Sequence, residues 1–225
     1  MNAHLFAVKA PADASALPFD AWINEVPEPR RTRILRQRNA QAAAVQLCAD
    51  RLLGYALRRV YGLDVRALDQ RLTPEGKPYF DGLDAPHFSI SHSCAMALCA
   101  LHGAPVGADV ERVRPVRDAL ARRIMSDAEY AAYLASSDPV RFFFRIWTLK
   151  ESFVKQTGLG IAQDLKKLGF VIDEALNVTF NMPGYAFRLY DLPGNYQACA
   201  CTGSGTLPDA VAVIELKELV SSAGV

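Results

Sequence analysis

The sequence predicts an α+β fold made of two similar halves, each a small, mainly antiparallel sheet packed on a long helix. Three observations carry this. Apolar residues recur at helical spacing through "AAAVQLCADRLLGYALRRV" and again through "FFFRIWTLKESFV". Short strand-like runs bounded by Gly, Pro and Asp follow each of these helices. The stretch "LCALHG" (98–103) returns as "ACACTG" (198–203), one hundred residues on, so the helix-then-hairpins order suggests a duplicated unit.

In order, "HLFAVKA" reads as a first strand ended by "PADAS". A helical tract follows from about Glu28 to Tyr61; its start packs Arg30, Arg31, Arg33, Arg36 and Arg38 together. "LTPEGKPYF" is a turn between short strands, "PHFSISHS" and "AMALCALHG" form a hairpin, and "APVGADVERV" is a third strand. In the second half, "SDAEYAAYL" opens with a capping box from Ser126 to Glu129. The next helix has Asp138 as N-cap and Pro139 at its first position, and closes at Gly158. "LGFVID", "NVTF", "YAFRLYDL", "YQACACTG" and "AVAVIEL" read as strands. The expected division is residues 1–108 and 109–225.

The 225 residues are 51% hydrophobic and 22% charged, enough for a sizeable core. A net charge of +1 gives no global pull toward nucleic acid or membrane. The five cysteines, an odd number in apolar surroundings without zinc spacing, read as buried free thiols in a reducing compartment. The N-terminus lacks a basic region followed by a long apolar run, and no stretch is long enough to span a bilayer, so a cytoplasmic protein is expected. Dinucleotide-binding glycines, a Walker loop and a nucleophilic serine elbow are all missing.

The informative residues are charges in apolar company. In "GADVE", Asp109 and Glu111 share one strand face while Val110 points to the core. Two adjacent carboxylates repel, and a divalent cation relieves that; magnesium takes one or two carboxylates and completes its shell with water and phosphate oxygens. The bland alternative is a strand leaving the sheet, its acids neutralised by Arg112 and Arg114. Glu151 and Lys155 lie one helical turn apart, either as a surface ion pair or, given Trp147, Leu149, Phe153 and Val154 around them, as the wall of a site. Ser91 and His92 sit at a strand end and Lys77 in a turn, each a candidate phosphate contact or an ordinary turn residue.

Taken together, "GKPYF", "FSISHS", "GADVE" and "WTLKESFVKQTGLG" resemble, in order and spacing, the motifs of the 4′-phosphopantetheinyl transferase superfamily, in its two-domain Sfp-type branch. The resemblance covers Gly76 to Gly160. It implies a pseudodimer with the active site in the cleft between halves, acting as a monomer. The implied reaction moves the phosphopantetheine arm of coenzyme A onto a serine of an acyl, peptidyl or aryl carrier protein. Carried over by motif, Asp109, Glu111 and Glu151 would hold Mg²⁺ (or Mn²⁺), Glu151 would take the serine proton, and Lys155 would hold the pyrophosphate. Ser91 and His92 would contact coenzyme A phosphates, and Lys77 with Pro78 would line the adenine side. Around Val45 and Gln46 the cation often found in the family is missing, which leaves the 3′-phosphate either to Arg30 or Arg31 or less tightly held; a solvated helix face is the equal alternative for these arginines. Ala108 stands where a bulkier residue is common. The segment "RVRPVRDALARRIM" follows the acidic strand, so Arg117, Leu120, Arg123 and Ile124 are expected to meet an acidic carrier. The alternative is a member that binds coenzyme A or a carrier without transfer, or an unrelated magnesium-dependent phosphohydrolase; all three carboxylates and Lys155 are present, which favours an active transferase.

Overall fold

The structure, a computed structural model, describes residues 2–28, 30–160 and 164–221. Its first part runs β1 (His4–Lys9), α1 (Phe19–Ile23), α2 (Arg30–Leu35), α3 (Ala40–Tyr61), β2 (Gln70–Leu72), β3 (Pro78–Phe80), β4 (His87–Ser93) and β5 (Met96–His102). The second runs β6 (Val106–Arg112), α4 (Asp118–Ile124), α5 (Asp127–Ala135), α6 (Pro139–Thr157), β7 (Phe170–Ile172), β8 (Val178–Phe180), β9 (Ala186–Leu192), β10 (Tyr196–Thr202), β11 (Ala212–Ile214) and α7 (Leu216–Ser221). The fold is α+β, and the repeat is structural. β2, β3 and β5 recur one hundred residues later as β7, β8 and β10. The echoed "LCALHG" and "ACACTG" lie on β5 and β10, the strands that hold the centre of each sheet. Both long helices end at a left-handed glycine, Gly62 and Gly158, which lets the chain reverse without a Cβ penalty.

One main sheet has the order β11-β1-β5-β4 and a second β6-β10-β9, while β2-β3 and β7-β8 form separate two-stranded sheets. In the first, β5 pairs antiparallel with β1 and β4; in the second, β10 pairs antiparallel with β6 and β9. α3 buries Leu47, Leu52, Leu53 and Leu57 against Phe6, Val8 and Cys99. α6 does the same with Phe143, Leu149 and Phe153 against Cys199 and Cys201. Between the two main sheets lies a third cluster in which alanines, among them Ala7, Ala100, Ala108, Ala198 and Ala200, alternate with larger residues such as Leu98, Val110 and Tyr196, giving a helix–sheet–sheet–helix stack. Ala108, which stands where the family often has a bulkier residue, belongs to this layer.

Some expectations need correcting. The helical tract is not continuous: α2 stops at Leu35, and Asn39, extended, caps a new helix by accepting the N–H of Ala42. A short polar side chain that satisfies a helix N-terminus favours such a restart. Residue 108 falls inside β6, and β11 crosses back to pair parallel with β1 while α7 packs on α3. Cys94 is exposed in the β4–β5 turn with φ 52°, whereas the other four cysteines are buried; none is in a disulfide.

A buried polar fastening of the second half is centred on Lys150. Its ammonium, 0% exposed, donates to Glu129 Oε2 at 2.6 Å, Ile124 O at 3.0 Å and Leu165 O at 2.7 Å. Glu129, the capping-box residue, also accepts from Ser126 N and Phe170 N. Burial pushes the Lys150 pKa down, and the Glu129 carboxylate opposes it. Removing one partner of a buried pair strands the other, so Lys150→Met is expected to cost about 3–5 kcal/mol. Urea denaturation, comparing midpoints at unchanged slope, reads this directly.

Candidate active site

The site is built on one face of one strand. Val106, Ala108 and Val110 of β6 point into the layer between the sheets, so Gly107, Asp109 and Glu111 point the other way, toward α6. Gly107 is where the helix touches. A Cβ there would lie 1.9 Å from Ser152 O and 2.4 Å from Gln156 N, both backbone atoms of α6. With the helix seated on Gly107 through Ser152 and Gln156, the residues just before each, Glu151 and Lys155, come beside Asp109.

The resulting contacts differ from a helical Glu–Lys pair. Lys155 Nζ pairs with Asp109 Oδ1 at 2.7 Å and with Ser91 Oγ at 2.9 Å, across two elements. Among the described residues the Glu151 side chain has no hydrogen bond or ion pair. Asp109 is 4% exposed, and its Oδ2 is buried without a partner. Glu111, further out on the strand, accepts from Ser93 Oγ at 2.6 Å and meets Arg114 at 3.4 Å. Burial raises the pKa of Glu151, and the Asp109 and Glu111 charges raise it further against the pull of Lys155. Glu111 is raised by burial and by Asp109, opposed by Ser93 and Arg114. The Asp109 charge thus lies close enough to disfavour the ionisation of both Glu151 and Glu111.

A divalent cation fits this donor set. Asp109 Oδ2 is an unused buried acceptor, and the mutual repulsion is what a positive charge relieves. No three His, Cys, Asp or Glu side chains among the described residues are gathered closely enough to form a ready-made metal cage. Magnesium does not require one, because substrate oxygens and water complete its shell.

The other sequence candidates separate. His92 stands beside the site near the end of β4, its pKa lowered first by the loss of solvation around its ring and then by Lys155 and Arg33, against the pull of Asp109. Ser91 is buried and gives its hydroxyl to Asp109 at 2.7 Å. Lys77 reaches the C-terminal turn of α6, donating to Gln156 O at 2.9 Å, and its stem lies against Gly158. Pro78 opens β3, half-buried. Arg30 is committed to the partly buried Asp50 of α3, and Arg31 to Glu28 at 3.0 Å. Arg33, a neighbour that sequence reading did not single out, is exposed, without an ion pair among the described residues, and close enough to His92 to depress its pKa. Beyond Glu111 a recess of about 300 Å³ is lined by Arg114, Arg117, Leu120, Phe143 and Trp147. Arg117, Leu120 and Arg123 are exposed, whereas Ile124 turns inward at 7% exposed and packs in the core beside α6.

A family model described as "4′-phosphopantetheinyl transferase superfamily" matches residues 105–202, from just before the acidic strand to the end of β10. A 4′-phosphopantetheinyl transferase of Bacillus subtilis is 28% identical over 222 residues, covering 96% of this chain and 99% of its own. The 4′-phosphopantetheinyl transferase Sfp of Bacillus subtilis strain 168 is 27% identical over 197 residues, covering 85% of this chain and 88% of its own. The chain belongs to the 4′-phosphopantetheinyl transferase superfamily. A solved holo-[acyl-carrier-protein] synthase of Thermotoga maritima, 20% identical with a TM-score of 0.38, covers 44% of this chain and 61% of its own, an overlap too partial to bear on the fold.

In the transferase, what the motifs announce and what they hide are now distinct. Asp109, Glu111, Glu151, Lys155, Ser91 and His92 come to one place. Gly107, Ser93 and Arg33 join them without having been singled out. For Gly107 a signal existed: it shares the face of Asp109 and Glu111 at the spacing of alternate strand residues.

Proposed function

We propose that the protein transfers the 4′-phosphopantetheine arm of coenzyme A to the serine hydroxyl of an acyl, peptidyl or aryl carrier protein. The observation that carries this is the meeting of Glu151 and Lys155 on α6 with Asp109 and Glu111 on β6, one carboxylate oxygen being buried and unused. The serine oxygen bonds to the β-phosphorus, the bond to the bridging pyrophosphate oxygen breaks, and adenosine 3′,5′-bisphosphate leaves. Mg²⁺ held by Asp109, Glu111 and Glu151, with Mn²⁺ as a substitute, would neutralise charge on the pyrophosphate. Glu151 takes the serine proton; its lack of a hydrogen-bond partner leaves it available, and its raised pKa makes it a better base. The Lys155 ammonium has three N–H donors and spends two on Asp109 and Ser91, leaving one for a phosphate oxygen and the departing oxygen. His92 offers a ring N–H and Arg33 a positive charge for the coenzyme A phosphates, in place of Arg30 and Arg31, and Pro78 lies on the adenine side with the Lys77 turn.

Both walls of the cleft come from one chain, which supports a monomer. No helix among the described residues is long and apolar enough to cross a membrane. Five thiols outside any disulfide support a cytoplasmic setting. The test is release of adenosine 3′,5′-bisphosphate from coenzyme A with magnesium. It should require a carrier and stop when the carrier's serine is replaced by alanine; release without any carrier would mark a hydrolase instead.

The carrier is read to dock on α4. Among the described residues Arg117 and Arg123 have no ion pair, unlike Arg122, which is held by Asp118 at 2.9 Å. Arg117→Glu and Arg123→Glu are each expected to raise the carrier KM about tenfold, more at low salt, and to leave the coenzyme A KM within about twofold. Steady-state kinetics with each substrate varied checks this; equal effects on both would move the docking surface elsewhere.

A further inference from the structure

β4 and β6 are edge strands of different sheets, and they meet without backbone pairing. Unpaired edges leave N–H groups that must find acceptors when buried. Here alternate serines of β4 supply them. Ser89 Oγ accepts from Ala108 N at 3.0 Å, Ser91 Oγ from Val110 N at 3.4 Å, and Ser93 Oγ from Arg112 N at 3.2 Å. All three serines are buried. A hydroxyl that accepts from an amide still has one proton to give. Ser89 gives it to the backbone, Ala108 O at 3.4 Å; Ser91 to Asp109 Oδ1 at 2.7 Å; Ser93 to Glu111 Oε2 at 2.6 Å. The row thus does two things: it ties the halves of the molecule together in a fixed register, and at two of its three steps it aims a hydroxyl proton at a carboxylate of the site.

We propose that Ser93 is a positioning residue of the transfer reaction, holding the Glu111 carboxylate in the orientation in which it serves a divalent cation. The proposal rests on the metal reading given above. Among the described residues, Glu111 has one other hydrogen-bond partner, Arg114, at 3.4 Å and half exposed, so the buried Ser93 is what fixes the carboxylate plane. Groups that orient a metal ligand typically contribute about 10–100-fold to metal affinity or activity. Ser89 is a built-in control. It accepts an equivalent N–H in the same row, so its loss costs the same kind of buried hydrogen bond, yet it touches no carboxylate.

The experiment titrates MgCl₂ into the protein with coenzyme A present and follows Tm, a readout that needs no turnover. Ser93→Ala should raise the magnesium concentration for the half-maximal Tm increase about tenfold or more. Ser89→Ala should lower the metal-free Tm comparably but keep that concentration within about twofold of wild type. If Ser93→Ala fails to fold, Ser93→Cys, which keeps the shape and weakens the donor, should show the same displacement to a lesser degree. A wild type that responds to magnesium beside a Ser93 variant that responds identically, or a Ser89→Ala that is displaced equally, overturns the proposal alone. A wild type with no magnesium response overturns the metal reading beneath it as well.

Discussion

Glu151→Gln is expected to lower kcat by at least about 10³-fold while leaving the protein as stable as before or more so. As a base, a positioned carboxylate contributes about 10²–10⁴-fold, and a metal ligand's charge adds to that. Gln keeps the shape and loses both. On the stability side, the Glu151 side chain has no hydrogen bond or ion pair among the described residues, and Asp109 and Glu111 both disfavour its charge. Neutralising one of three crowded carboxylates therefore relieves repulsion. Lys155 keeps its own pairing, because its partner is Asp109. Opposite signs in activity and stability distinguish this account from a surface ion pair, for which both changes would be small. Turnover and metal-free Tm on the same preparation check it; more than a tenth of wild-type turnover would contradict it.

Gly107→Ala is expected to abolish most activity through geometry alone, since no charged group is touched. The added methyl would fall 1.9 Å from the Ser152 carbonyl oxygen and 2.4 Å from the Gln156 nitrogen. Both are backbone atoms inside a helix, so no side chain can swing aside and α6 must move off β6. Overpacking of this kind costs about 1–3 kcal/mol or more. The helix carries Glu151 and Lys155 with it, and a displacement of about 1 Å at reacting groups costs on the order of 10²-fold. The measurement is kcat per folded molecule, with the folded fraction taken from Tm and near-UV circular dichroism. Turnover close to wild type would show that α6 has slack at this contact.

Much of the site was legible because it is written in short-range patterns. The Asp138–Pro139 start and Gly158 stop of α6, the capping box at Ser126, and the shared strand face of Asp109 and Glu111 each depend on neighbours a few residues away. What was not legible depends on partners far along the chain. Lys150 and Lys155 are the same residue type on one helix. One is buried against Glu129 and the other faces the cleft, and only the placement of α5 and β6 separates them. Arg30, Arg31 and Arg33 look equivalent in sequence. Asp50 on α3 and Glu28 engage the first two, which leaves the third. Ile124 resembled a surface anchor because it follows arginines, but the turn of α4 directs it into the core. That β11 crosses over to β1 has no local signal.

Asp109, Glu111, Glu151 and Lys155 are proposed to act as one site for phosphopantetheinyl transfer. The most direct test is the intact mass of an apo carrier protein after incubation with coenzyme A, magnesium and this protein. A gain of one phosphopantetheine group, located on the carrier's serine, is expected, with no gain for Glu151→Gln over the same interval. A carrier of unchanged mass while coenzyme A is consumed, or an equal gain with Glu151→Gln, would contradict it.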